Sequence, residues 1–104
     1  MIDVSQEQLG IILHILNKCV PDCEVRAFGS RFKRTAGDHS DLDLAIVGGQ
    51  KLDWKLIGEI TDEFEESDLP FRVDVLDWNA ISPEFRKVIQ QGYEVIKKEF
   101  SISQ

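Results

Sequence analysis

Apolar residues near the start of the chain, Leu9, Ile12, Leu13, Leu16 and Val20, recur mostly at three- and four-residue steps. That is the period of a helix with one buried face, predicting a helix over Ser5–Cys19. Ser5 and Gln8 are spaced for a capping box at its start, and Pro21-Asp22 ends it. Glu24 to Phe28 alternates polar and apolar residues and runs into Gly29-Ser30, a strand turning into a tight loop. A polar stretch follows, Lys33 to Ser40, with Gly37 and Asp38 as turn signals. From Asp41 to Val47, alternation with Leu42, Leu44 and Ile46 on one face predicts a second strand, closed by Gly48-Gly49. Trp54, Ile57, Ile60, Thr61 and Phe64 mark a second helix with Asp53 as its N-cap. Beyond Asp68-Leu69-Pro70, Phe71, Val73 and Val75 alternate with Arg72, Asp74 and Leu76, a third strand. Ser82-Pro83 opens a short helix over Glu84–Gln91, ended by Gly92. Tyr93, Val95 and Ile96 form a final apolar piece, and residues 98–104 read as a frayed tail.

The order is therefore helix, strand, strand, helix, strand, helix. It predicts an α+β domain spanning 1–104, with a mixed sheet of three to four strands flanked by helices. There is no internal repeat and no low-complexity segment. A chain of 104 residues has room for one core. No apolar run approaches the roughly 20 residues of a membrane span. The N-terminus lacks the basic and apolar regions of a signal peptide, which suggests a cytoplasmic protein.

Charge narrows the functional classes. With 12 Lys and Arg against 19 Asp and Glu, the formal charge is −7. Broad nucleic-acid binding, which draws its affinity from phosphate contacts, is disfavoured. Arg31, Lys33 and Arg34 make a basic spot better matched to a small polyphosphate. Cys19 and Cys23, with only His14 near them in sequence, read as reduced thiols and not as a zinc site. His39 and His14 read as loop and surface residues. The acidic run Glu63 to Glu66 reads as a solvated helix end.

The chemistry concentrates between Gly29 and Asp43. On a strand, Asp41 and Asp43 project from one face, where two carboxylates repel unless a cation lies between them. Oxygen-only ligands suit Mg²⁺ or Mn²⁺, usually shared with substrate phosphates. Asp74 completes a cluster of three carboxylates if the third strand pairs beside the second. Upstream, a Gly-Ser turn exposes backbone N–H groups, and a helix beginning there adds its positive end. The Ser30 hydroxyl can donate to a phosphate oxygen, and Arg31 can balance triphosphate charge. Taken alone, Asp-Leu-Asp is more readily read as solubilising charge, and it is the Gly29-Ser30 spacing that changes the reading.

Gly29-Ser30, ten residues, then Asp41-Leu42-Asp43 resembles the signature of the DNA polymerase beta-like nucleotidyltransferase superfamily. Val25 to Val47 with Ser67 to Trp78 resembles the minimal nucleotidyltransferase (MNT) type that pairs with HEPN-type helical proteins or with nucleotidyltransferase substrate-binding proteins. The likeness spans roughly residues 8 to 97. Many relatives carry a small residue and then glycine where Phe32 and Arg34 stand, so the loop is expected to be stiffer and more basic.

The resemblance implies catalytic, metal-holding roles for Asp41, Asp43 and Asp74, and nucleotide binding by Gly29, Ser30, Arg31 and Ser40. It implies two Mg²⁺ (or Mn²⁺) ions and ATP as substrate. AMP would pass to a hydroxyl, by resemblance a tyrosine of a HEPN-type toxin, making this chain the antitoxin. Two alternatives stay open: transfer to a small molecule presented by a helical subunit, and a non-catalytic antitoxin that binds nucleotide and acts by contact. Trp54, Trp78 and Phe85 read as core or interface, and a partner is expected to complete so small a site.

Overall fold

The computed structural model describes residues 2–33, 37 and 40–98. Arg34, His39 and all but the first residue of the expected frayed tail lie outside them. The elements are α1 (Gln6–Cys19), β1 (Glu24–Phe28), α2 (Ser30–Lys33), β2 (Leu42–Val47), α3 (Trp54–Glu65), β3 (Val73–Asp77), a 3₁₀ turn (Trp78–Ala80), α4 (Pro83–Gln90) and β4 (Glu94–Lys97). The sheet runs β3-β2-β1-β4. β1 is antiparallel to both β2 and β4, while β2 and β3 are parallel, joined through α3. A parallel pair needs such a crossover, and a helix is its usual form.

The helices begin where local chemistry satisfies their unpaired N–H groups. The Ser5 Oγ accepts from the Gln8 N–H at 3.1 Å, and the Gln8 Oε1 accepts from the Ser5 N–H at 2.8 Å. Asp53 accepts from the Lys55 N–H at 2.9 Å, and Ser82 from the Phe85 N–H at 3.1 Å with Pro83 following. Such caps contribute about 1 kcal/mol each. Ile12, Ile15 and Leu16 of α1 and Ile60 and Phe64 of α3 form one cluster with Val25, Ala27, Leu42, Leu44, Ile46 and Val73. The two long helices thus cover one face of the sheet, and every second strand residue points into that core. Among the described residues no helix is long and apolar enough to cross a membrane.

The third strand starts at Val73 instead of Phe71 and the last helix lies one residue earlier than expected, at Pro83–Gln90. Asp41 precedes β2 instead of beginning it. The last apolar piece is a fourth strand, β4, on the outer edge beside β1. Its end residue Lys97, next to the expected frayed tail, is 9% exposed and donates to the carbonyls of Pro21, Cys23 and Lys98. Burial pushes the Lys97 ammonium pKa below its ordinary value.

Asp77 is a further buried anchor, at 8% exposure. Its carboxylate accepts from the Leu52 N–H at 2.7 Å and the Asn79 N–H at 3.0 Å, pinning the entry to α3 against the end of β3. Asp77→Ala strands both donors, and about 1–3 kcal/mol of stability should be lost. Urea unfolding should show a lower midpoint with an unchanged slope.

Candidate active site

The sheet register assembles the site. Asp43 pairs with Phe28 on its antiparallel side and with Asp74 on its parallel side. Cross-strand partners share a face, and neighbouring strands lie about 4.8 Å apart, so the two carboxylates emerge side by side. This face is the one opposite α1 and α3, because Leu42 and Leu44 on either side of Asp43 are fully buried in the helical core. Asp41 stands at the entrance to β2, where the Leu42 N–H donates to the Arg72 carbonyl at 2.9 Å. The Asp43 carboxyl titrates above its ordinary value: partial burial is the largest cause, followed by the charges of Asp74 and Asp41. The other two acidic positions singled out in the sequence therefore both act on Asp43. Among the described residues, however, no three acidic, histidine or cysteine side chains are grouped closely enough to hold a metal ion as they stand.

Gly29 closes the row. Its φ is +78°, the left-handed region that favours glycine. A Cβ there would lie 2.3 Å from the Asp43 Oδ2. Two independent constraints thus demand glycine: the turn from β1 into α2, and the passage of backbone against a carboxylate. Ser30 begins α2, which is a single turn of four residues. With so short a helix, the macrodipole expected from the sequence is small, which leaves the backbone N–H groups and the Ser30 hydroxyl as the groups that could meet an anion.

Arg31 departs from its expected place. Its side chain is turned inward and only 5% exposed. Nη1 donates to the Asp3 carbonyl at 2.7 Å and Nε to the Ser40 carbonyl at 3.0 Å, and the guanidinium lies 4.0 Å from the centre of the Phe71 ring. A planar cation with a fan of donors suits several carbonyls at once, so Arg31 fastens the N-terminal segment and the loop before Asp41. The Ser40 Oγ accepts from the Gly37 N–H at 2.9 Å, which holds the same loop. Sequence reasoning also missed Arg72, whose Nε lies 2.9 Å from the Asp74 Oδ1. The i, i+2 spacing on one strand face was the available signal.

The donor set fits a hard divalent cation. It is oxygen-only, mutually repulsive and bordered by a glycine that leaves its carboxylate uncovered. A model of the polymerase beta nucleotidyltransferase domain matches residues 12–101.

The chain belongs to the polymerase beta nucleotidyltransferase family. It is 46% identical over 98 residues to the Haemophilus influenzae protein named "Probable protein adenylyltransferase MntA", covering 94% of this chain and 86% of that one. The fold matches a chain of a toxin–antitoxin crystal structure with AMP-PNP at a TM-score of 0.75 and 22% identity, over 86% of this chain and 73% of that chain. It also matches a chain in a complex of tri-AMPylated Shewanella oneidensis HEPN toxin with an MNT antitoxin, at a TM-score of 0.62 and 19% identity, over 89% and 71%. The carboxylate row and glycine turn of this nucleotidyltransferase sit on the sheet face away from α1 and α3, in a fold shared with chains of both complexes.

Because the Asp43 carboxyl is raised, its ionised form is disfavoured in the folded chain. The cost is present in full above the folded pKa and disappears as pH falls towards the unfolded value. In metal-free buffer at pH 7, Asp43→Asn should therefore raise the Tm, and the gain should shrink as pH falls through the Asp43 titration. Thermal unfolding across a pH series checks this.

Proposed function

We propose that this nucleotidyltransferase is a Mg²⁺-dependent protein adenylyltransferase that moves AMP from ATP to a hydroxyl, a tyrosine by resemblance, on a HEPN-type partner. It would act as the antitoxin of that pair. The observation that carries the reading is the in-register pairing of Asp43 with Asp74 beside the Gly29 turn, in a chain 46% identical to MntA. Likeness to chains of toxin–antitoxin complexes supports the partner class.

In this mechanism Gly29 and Ser30 hold the β- and γ-phosphates through backbone N–H groups and the hydroxyl. Asp41, Asp43 and Asp74 would hold the Mg²⁺, two ions by resemblance, which would supply neutralisation of negative charge developing on phosphate oxygens. Asp74 takes the proton of the acceptor hydroxyl, and its pairing with Arg72 orients the carboxylate for that transfer. The acceptor oxygen forms a bond to the α-phosphorus as the bond to the bridging oxygen breaks, and pyrophosphate leaves in line. Arg31 contributes by holding the loop before Asp41, and its buried charge adds positive potential near the triphosphate.

Incubating the protein with ATP, Mg²⁺ and its co-expressed partner should add AMP units to the partner, read by intact mass. Asp43→Asn should slow that transfer at least about a hundredfold, since metal stabilisation of such a transition state is worth several kcal/mol. Absence of any adduct, with Asp41→Ala still neutralising the partner, would instead establish an antitoxin acting by contact.

A further inference from the structure

A cavity of about 420 Å³ opens beside the Gly29 turn. Phe28, Phe32 and Val88 give it apolar walls, while Lys33 and Gln91 bring polar groups. Gly29 lines it as well, and the Gly29 Cβ position abuts the Asp43 Oδ2. The cavity and the carboxylate row are therefore reached from one backbone turn. We propose that this cavity is the nucleobase subsite, that Phe32 supplies its stacking face, and that Gln91 selects adenine. The inference rests on the reading of the protein as an ATP-using nucleotidyltransferase.

Three features support it. The volume lies within the roughly 300–1,000 Å³ of small-molecule pockets, and mostly apolar walls with few polar groups are their usual composition. The aromatic walls are fixed in place. The Phe85 ring meets Phe28 edge-on, with centroids 6.1 Å apart. Phe32 packs so tightly on the turn after α4 that a Cβ on Gly92 would stand 2.8 Å from its Cε2. A rigid aromatic face stacks a base without losing side-chain freedom, and every base offers a π-face to it. Gln91 then provides what stacking lacks: an amide with donor and acceptor side by side, matching the amino group and N7 of adenine, where the same edge of guanine presents two acceptors and leaves the amide oxygen without a donor. Lys33, at the end of α2, is placed to face the phosphates of a nucleotide lying across the turn.

The test uses the full chain with Mg²⁺, titrated calorimetrically with the α,β-methylene analogues of ATP and GTP and with inorganic tripolyphosphate. The ATP analogue should bind about tenfold or more tighter than tripolyphosphate, reflecting the stacked base. Phe32→Ala should erase most of that difference and leave tripolyphosphate affinity unchanged. Gln91→Ala, on the surface and outside the core, should lower the preference for the ATP over the GTP analogue about fivefold or more. This arm decides the matter even if Phe32→Ala misfolds. Equal wild-type affinity for ATP analogue and tripolyphosphate, or an unchanged base preference in Gln91→Ala, would overturn the subsite while leaving the proposed reaction standing. Binding of none of the three would overturn both.

Discussion

The register of β2 between its two neighbours is the constraint on which the site depends. Side chains alternate faces along a strand, so a slip of one residue would bury Asp43 and expose Leu44. Leu42, Leu44 and Ile46 are fully buried, and they lock the strand in the one register that sets Asp43 beside both Phe28 and Asp74. Each such side chain contributes about 1.5–3 kcal/mol through burial, so the three together outweigh the roughly 1–3.5 kcal/mol of repulsion between two partly solvated carboxylates on neighbouring strands. The hydrophobic face thus holds together a polar face that would otherwise separate. A raised Asp43 pKa is the residue of that conflict, and a bound cation is its natural relief.

The second constraint is how closely the chain passes this row. Gly29 turns β1 away while leaving no space for a side chain against the Asp43 carboxylate. Arg31 then fixes what comes next. Buried among carbonyls and against Phe71, it ties the start of the chain to the loop leading into Asp41. The Gly29-Ser30 turn and the carboxylate row are held in one frame because a single turn and one buried cation set both.

Much of this was legible in the residues. The helical period of α1 and α3, the caps at Ser5, Asp53 and Ser82, and the alternation of β2 and β3 all appear because each element buries a continuous apolar face. Asp41, Asp43 and Asp74 were legible as a group because charges at alternating strand positions are unusual next to a core. β4 was not, since Glu94 to Lys97 is a short edge strand with Val95 over a third exposed and a buried lysine at its end. The inward turn of Arg31 was equally hidden. Its partners, the carbonyls of Asp3 and Ser40, lie 28 and 9 positions away and carry no side-chain signature. The Arg26 guanidinium, 4.8 Å from the Trp78 ring centre and 4.7 Å from that of Tyr93, joins segments that sequence order keeps apart.

The most direct test of the central claim, that the Asp41, Asp43 and Asp74 row is a divalent-cation site, is a Mn²⁺ titration followed by electron paramagnetic resonance with ATP present. The wild-type chain should remove the free Mn²⁺ signal beyond what ATP alone removes, and Asp43→Asn should abolish that excess. Equal removal by the variant would contradict the account.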